Sequence, residues 1–224
     1  MDFARRSRSL LTHRDLGRFP GESLFARVAR AVCEAECLPR KELFESWEVA
    51  RRVRRRVRGH RVVELAAGHA LVAQLLLLLD AASESALAVD AKRVPSAVTL
   101  AGVLAARWPR LEGRVERRIG DLAAVGLTPA DLVVSVHACG ARSDTVLGLA
   151  LAARAPVALL PCCHDVRSCD AGGLLGFLPA PLAIDATRVA RLRGAGYEVV
   201  TQTIPAEITP HNRLILGLPP VAAG

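Results

Sequence analysis

The sequence predicts an α/β protein built on a mostly parallel, seven-stranded sheet. From His60 onward, short β-branched runs alternate with Ala- and Leu-rich stretches of helical length, and the last two runs lie too close together for a helix between them. Alternating strands and helices are typical of a parallel sheet covered on both faces, whereas a short connection makes an antiparallel pair. The length of 224 residues fits one such domain with a modest appendage.

The first part of the chain is rich in arginine and has no strand-like run. Residues 23–37 and 41–58 each predict a helix, and Pro39 separates them because proline interrupts a continuous helix. We therefore predict an N-terminal helical extension over residues 1–58 and a sheet-containing domain over residues 59–224.

The second part of the chain contains seven runs with the composition of strands. The stretches between the first five runs predict helices, and the last two runs predict an antiparallel hairpin at one edge of the sheet. The predicted strands are residues 61–65, 86–89, 114–119, 132–136, 157–160, 198–204 and 214–218.

The formal net charge is +8, and nearly all of the positive charge is carried by arginine. Guanidinium groups suit phosphate, so a nucleic-acid partner is one explanation, and an arginine-rich solvated surface is the other. An arginine run ends the second predicted helix, and its density favours contacts with RNA phosphates. The residues predicted to make these contacts are Arg51, Arg52, Arg54 and Arg55.

No apolar run in the sequence reaches the ~20 residues needed to span a bilayer. The longest, Leu71–Leu79, predicts a buried helix instead. The N-terminal residues are basic but lack the apolar segment of a secretion signal. We therefore expect a cytoplasmic protein whose cysteines stay reduced.

A turn of small residues follows the first predicted strand and precedes a helix, the usual place for a nucleotide in an open α/β sheet. Residues 68–73 are Gly-His-Ala-Leu-Val-Ala, with alanine where a diphosphate-binding loop needs its second and third glycines. A methyl group there would crowd a diphosphate, so the turn favours S-adenosylmethionine, which has no phosphate. The predicted cofactor contacts in this segment are Glu64, Ala66 and Gly68.

Two further acids follow the second and third predicted strands. Asp90 is placed to accept hydrogen bonds from ribose hydroxyls, and Asp121, beside Leu122, is placed to accept one from an adenine amino group. Each aspartate is also a candidate helix N-cap. Three acids in this order after three successive strands favour the cofactor, so Asp90, Asp121 and Leu122 complete the predicted cofactor site.

Two segments resemble a known methyltransferase family. The fourth strand is followed by His-Ala-Cys-Gly at residues 137–140, and the fifth by Pro-Cys-Cys-His at residues 161–164. These segments resemble the family of eukaryotic tRNA acceptor-stem 2′-O-methyltransferases and methyltransferase-like 25 proteins. The resemblance covers about residues 40–170. It implies a Rossmann-like class I methyltransferase fold, S-adenosylmethionine as cofactor, and RNA as substrate, with tRNA and rRNA both open.

The histidines of these two segments are the candidate catalytic residues. His137 is the first candidate for a general base or substrate positioner, with Asp144, one helical turn into the next predicted element, as its predicted partner. His164, which follows the neighbouring strand, is the second candidate. The alternative is that both histidines are structural turn residues.

The cysteines have ligand chemistry compatible with zinc, but their spacing matches no established finger. Adjacent cysteines at a strand end are expected to point in opposite directions, which disfavours one shared ion. We therefore predict small buried thiols rather than a metal site, with a metal or iron–sulfur site as the alternative, for Cys33, Cys37, Cys139, Cys162, Cys163 and Cys169.

Three functions remain open from the sequence. The leading hypothesis is an S-adenosylmethionine-dependent methyltransferase acting on structured RNA, with a ribose 2′-hydroxyl as the candidate acceptor. The second is a methyltransferase for a small molecule or a protein. The third is a non-catalytic RNA-binding scaffold with a methyltransferase fold.

Overall fold

The computed structural model describes residues 3–220, which fold into six α-helices and one seven-stranded sheet. The helices are α1 (Leu24–Ala35), α2 (Arg40–Arg54), α3 (Leu71–Leu79), α4 (Ser96–Arg107), α5 (Ala141–Ala153) and α6 (Ala180–Gly194). The strands are β1 (Arg61–Leu65), β2 (Ala86–Asp90), β3 (Val115–Ile119), β4 (Asp131–Ser135), β5 (Val157–Leu159), β6 (Glu198–Thr203) and β7 (Arg213–Leu218).

The strand order in the sheet is β3-β2-β1-β4-β5-β7-β6. The first five strands run parallel, and β7 is antiparallel to both β5 and β6. The predicted mostly parallel sheet with a terminal antiparallel hairpin is confirmed. Because the order reverses between β1 and β4, the carboxyl ends of these strands border the crevice where open α/β sheets bind ligands.

The predicted helix between the third and fourth strands is wrong. Between β3 and β4 the chain forms only a 3-10 turn, Leu122–Ala124, followed by an irregular segment. Gly126 and Pro129 interrupt this stretch, and both residues disfavour a continuous helix. The α2 helix also ends at Arg54, four residues earlier than predicted.

The two faces of the sheet are covered by different helices. Alternate residues of β1 point to opposite sides, so Val62 packs with α1 to α4 whereas Val63 packs in the core that contains α5 residues. Helix α2 lies against α3, and α1 lies against α4. The N-terminal helices therefore share a hydrophobic core with the sheet.

Among residues 3–220, no helix is long and apolar enough to cross a membrane.

Candidate active site

A cleft opens at the carboxyl ends of the central strands. Its deeper part is a cavity of about 330 Å³, and a neighbouring cavity of about 320 Å³ extends it towards the end of β3. Ala66, Asp90 and Arg142 line both cavities, so the two form one continuous cleft. A ligand in this cleft contacts the turns that follow β1, β2, β3 and β4.

The turn after β1 has the backbone of a glycine-rich loop although it contains one glycine. Ala66, Gly68 and Ala70 have φ of 55°, 50° and 56°. Alanine in this left-handed region costs roughly 1–2 kcal/mol per residue, so the rest of the fold holds the turn in this conformation. In this conformation Ala66 and Gly68 line the cavity, which is where they were predicted to contact the cofactor.

Glu64 lies at the base of the cleft and is 4% exposed. Its Oε2 accepts a hydrogen bond of 2.7 Å from the backbone N–H of Ala73 in the first turns of α3. Burial raises the pKa of the Glu64 carboxyl to about 8, against the lowering effect of the backbone donors. The predicted cofactor residue therefore also holds the β1 turn to α3.

Asp90 and Asp121 both line the cleft, and both also serve the local backbone. Asp90 accepts hydrogen bonds from the N–H of Gly68 at 2.9 Å and of Lys92 at 3.1 Å. Asp121 is the N-cap of the 3-10 turn, accepting from Ala123 N–H at 3.0 Å. Asp121 is therefore a cap, and its place in the cavity lining leaves the cofactor contact as a prediction. Leu122 lines the same cavity.

Several residues that line the cleft were not predicted as site residues, among them two carried by α2 and one at the start of α5. Glu42 and Ser46 reach the cavity from α2, and Arg142 reaches it from the start of α5. The pKa of Glu42 is raised, chiefly by burial and then by the nearby Glu45. A strand-end search misses Glu42 and Ser46 because they lie on a helix that precedes the sheet in the sequence.

His137 lines both the cleft and a second cavity of about 390 Å³. Its Nε2 lies 3.5 Å from Oε2 of Glu45, and neither atom has a hydrogen-bond partner among residues 3–220. Burial lowers the pKa of the imidazole, although Glu45 opposes the shift. A neutral imidazole facing the cleft is suited to accept a proton.

The predicted pairing of Asp144 with His137 is wrong. Asp144 accepts hydrogen bonds from Arg188, with its Oδ2 2.8 Å from an Nη of the guanidinium, and from Arg191 at 3.2 Å. Asp144 lies on the face of α5 that meets α6, so it turns away from the cleft. The acid beside His137 is Glu45.

His164 lies in a buried ionic network. Its Nε2 is 2.8 Å from Oδ1 of Asp185, and the histidine side chain is 3% exposed. Asp185 also accepts hydrogen bonds from Arg188 and Arg213, at 3.2 Å and 2.7 Å. These contacts favour a structural role for His164 over the predicted catalytic one.

Three of the four arginines predicted to contact phosphate have partners within the protein. Arg51 and Arg52 pair with Glu48, and Arg54 donates to the carbonyl of Leu79 at 2.9 Å. Of the predicted set, Arg55 alone is exposed. These partners weaken the interpretation of Arg51, Arg52 and Arg54 as phosphate contacts, which stays a prediction.

The arginine run also lies away from the cleft. Helix α2 runs from the cleft to the amino end of the sheet, where Arg61 begins β1. At 1.5 Å per residue, Arg54 lies about 18 Å along the helix axis from Glu42 in the cleft wall. Because the arginines end a helix that leads away from the cleft, they do not surround it.

The expectation that the adjacent Cys162 and Cys163 point in opposite directions is wrong. Strand β5 ends at Leu159, so Cys162 and Cys163 lie in an irregular loop where side chains do not alternate. Their Sγ atoms lie 3.7 Å apart, and both contact Cys139. Cys139 and Cys163 are exposed, whereas Cys33 and Cys169 are buried as predicted.

Solved structures with the class I methyltransferase fold align with most of this chain. An O-methyltransferase family protein from Burkholderia thailandensis aligns over 93% of this chain and 68% of its own, with a TM-score of 0.52 and 16% identity. The S-adenosylmethionine-dependent methyltransferase SibL aligns over 95% of this chain and 66% of its own, with a TM-score of 0.51 and 19% identity.

The pyocyanin biosynthetic protein PhzM aligns over 92% of this chain and 61% of its own, with a TM-score of 0.50 and 15% identity. No protein-family model and no curated protein sequence matches the chain. At these identities the alignments show the fold. The chain has the Rossmann-like fold of the class I methyltransferases, as the sequence predicted.

Proposed function

We propose that this protein is an S-adenosylmethionine-dependent methyltransferase. The observation that carries the proposal is the cleft, where Glu64, Asp90 and Asp121 lie at or just beyond the carboxyl ends of three adjacent strands and border one continuous cavity. The proposed roles are acceptance of ribose hydroxyls by Asp90 and of the adenine amino group by Asp121, with Leu122 against the adenine. Glu64, Ala66 and Gly68 would hold the methionine portion of the cofactor.

Methyl transfer from a sulfonium is an in-line displacement in which the acceptor oxygen attacks the methyl carbon and the thioether leaves. The protein's part is to align the acceptor and to remove its proton. His137 is the proposed base because it lines the cleft and burial lowers the pKa of its imidazole, which keeps it neutral at pH 7. Glu45 beside it is placed to stabilise the imidazolium that forms.

Calorimetry with S-adenosylmethionine or its demethylated product tests the cofactor site. We expect binding to the parent protein and a loss of roughly 1–3 kcal/mol on Asp90→Ala, the cost of removing a charge-assisted hydrogen bond. Asp170→Ala is the matched control, because Asp170 is exposed, accepts a backbone N–H from Gly172 and lies outside the cleft. If the parent protein binds neither compound, the cofactor assignment is wrong.

We further propose RNA as the substrate, with a ribose 2′-hydroxyl as the acceptor. The support is a basic rim, defined as Arg8, Lys92, Arg93 and Arg142, whose exposed side chains line the cleft or the cavities beside it. None of the four forms an ion pair with any residue from 3 to 220. The resemblance to the acceptor-stem 2′-O-methyltransferase family supports the same substrate class.

Incubation with unfractionated tRNA or rRNA and labelled cofactor, followed by nucleoside mass spectrometry, tests the substrate. We expect label in a 2′-O-methylated nucleoside. Cofactor binding without RNA methylation favours a small-molecule or protein substrate instead. RNA binding without turnover on any of these substrates favours the non-catalytic scaffold.

A further inference from the structure

Three cysteine thiols meet beside the cofactor cleft. Sγ of Cys139 lies 3.0 Å from Sγ of Cys162 and 3.3 Å from Sγ of Cys163, and the latter two are 3.7 Å apart. These three ligand atoms lie within 4.8 Å of one another. We propose that Cys139, Cys162 and Cys163 bind one zinc ion whose fourth coordination position opens onto the adjoining cavity.

The spacing of the thiols fits a tetrahedral thiolate site. With Zn–S bonds of about 2.3 Å, two sulfurs of a tetrahedral site lie about 3.8 Å apart. The observed separations fall short of this by less than 1 Å, which small changes of side-chain torsion supply. Three soft sulfur donors favour zinc over magnesium or calcium, which take oxygen ligands.

The sheet brings the two thiol-bearing loops together without help from an ion. Cys139 follows β4 and the other two cysteines follow β5, and these strands are parallel neighbours. The backbone N–H of Gly140 donates to the carbonyl of Cys163 at 3.3 Å. The ligands are therefore largely preorganised, which lowers the cost of binding.

The fourth coordination position is open on the cavity side. Within residues 3–220, no histidine, aspartate or glutamate offers a ligand atom within 4.8 Å of all three sulfurs. The adjoining cavity, of about 390 Å³, is lined by His137, Glu42 and the basic side chains of Arg8 and Lys41. Zinc sites with three protein ligands and an open position are typical of catalytic sites, whereas structural sites are closed.

The electrostatics of the cavity suit such an ion. Three thiolates and a divalent cation leave a net negative charge. Arg8 lines the same cavity, has no ion-pair partner among residues 3–220 and offsets this charge, whereas Lys41 in the same lining is paired with Glu45 at 3.0 Å. His137 and Glu42 also line the cofactor cleft. An ion at the three thiols is therefore placed to hold a water or a donor atom of the substrate on the side of His137.

A disulfide is the competing use of these cysteines. Cys139 and Cys162 are the closest pair, and an S–S bond needs a separation near 2.05 Å. The third thiol contacts both partners of that pair, and a disulfide leaves it without a role. Three mutual contacts favour ligation of one ion.

The test is metal titration of the full chain, stripped with a chelator and kept reduced under anaerobic conditions. Cobalt is the first probe because thiolate–Co²⁺ charge transfer absorbs in the near ultraviolet, and zinc is then added to displace it. We expect one equivalent of Co²⁺ per chain, a thiolate charge-transfer band, and loss of the band on addition of Zn²⁺.

Cys139→Ser and Cys163→Ser should each weaken Co²⁺ binding by about 100-fold or more, since even outer-shell changes cost 10–100-fold. Both thiols are exposed, so these variants should melt at the temperature of the parent. Cys37→Ser, a half-buried thiol outside the cluster, should leave cobalt binding unchanged. Three results would contradict the site. They are no cobalt binding by the reduced protein, the parent's charge-transfer band in Cys139→Ser or Cys163→Ser, and an equal loss of cobalt affinity in Cys37→Ser.

Discussion

At the scale of single residues, Glu64 couples the cofactor cleft to stability. Its folded-state pKa of about 8 lies above the ordinary value of 4.5 for glutamate, because burial penalises the charged carboxylate. Between these two values the native state holds a proton that the unfolded state has released. Stability is therefore lost as the pH rises from about 4.5 through 8.

We predict that Glu64→Gln changes the free energy of unfolding of the unliganded protein more favourably at pH 9 than at pH 5. The difference between the two effects should be about 2–5 kcal/mol. Glutamine keeps an acceptor for the N–H of Ala73 and never becomes charged. Urea unfolding at the two pH values measures the difference. Glu112→Gln is the control because Glu112 is exposed, and it should change the free energy of unfolding by the same amount at both pH values. Equal effects of Glu64→Gln at the two pH values would show that the buried carboxyl is not the cause.

His137 carries the second prediction at this scale. If it removes the acceptor proton, His137→Ala reduces single-turnover methylation by about 10²-fold while cofactor affinity is kept. A structural histidine instead gives a variant that melts early and methylates at the parental rate. Melting temperature, cofactor affinity and turnover measured on one preparation separate the two roles.

At the scale of elements, the sequence predicts the strands well because short runs that contain valine or isoleucine recur between longer stretches rich in alanine and leucine. Residues 61–65 and the helix Leu71–Leu79 match the structure at both ends. The helix predicted between the third and fourth strands does not form because the stretch contains Gly126 and Pro129. The prediction rested on the alternation of strands and helices, which does not take these two residues into account. Connections long enough for a helix do not require one.

The positions of charged groups are less predictable than the elements that carry them. The arginine run is visible in the sequence, but its intramolecular partners Glu48 and Leu79 become apparent only in the folded chain. Likewise, the contact between His137 and Glu45 joins the turn after β4 to a helix that comes early in the chain. Asp144 was predicted instead because it is close to His137 in the sequence. Separation along the chain does not reveal a contact with a residue as distant as Glu45.

The basic rim gives the prediction for this scale. Replacing Arg8, Lys92 and Arg93 with serine should weaken RNA binding and lower its salt slope by about 2–3, since each phosphate contact contributes about 0.7–0.9. Cofactor affinity should stay near the parental value, because none of the three lines the cofactor cleft.

The matched control removes three exposed charges from the other end of the protein. Arg55, Arg56 and Arg58 are exposed near the end of α2, far from the cleft. Their replacement with serine should leave the salt slope close to that of the parent. Equal losses in the two triple variants would indicate a diffuse charge effect and would remove the rim as the RNA contact surface.

At the scale of the whole molecule, the N-terminal helices are part of the core. Leu43, Val49 and Val53 of α2 are fully buried, and the same hydrophobic cluster contains Val62 of β1 and Leu75 of α3. Burial of each such side chain stabilises the fold by roughly 1.5–3 kcal/mol. Because the net free energy of unfolding of a protein is about 5–15 kcal/mol, losing the burial of several such side chains is enough to unfold it.

We therefore predict that the fragment of residues 59–224 does not fold by itself. Removing α1 and α2 exposes one apolar face of the sheet and deletes the cleft wall formed by Glu42 and Ser46. The fragment should show no cooperative thermal transition and no cofactor binding, and adding residues 1–58 as a separate chain should restore part of both. A fragment of residues 59–224 that melts cooperatively within a few degrees of the full chain would instead make the N-terminal helices an independent appendage, because the sheet would then be stable without their apolar cover.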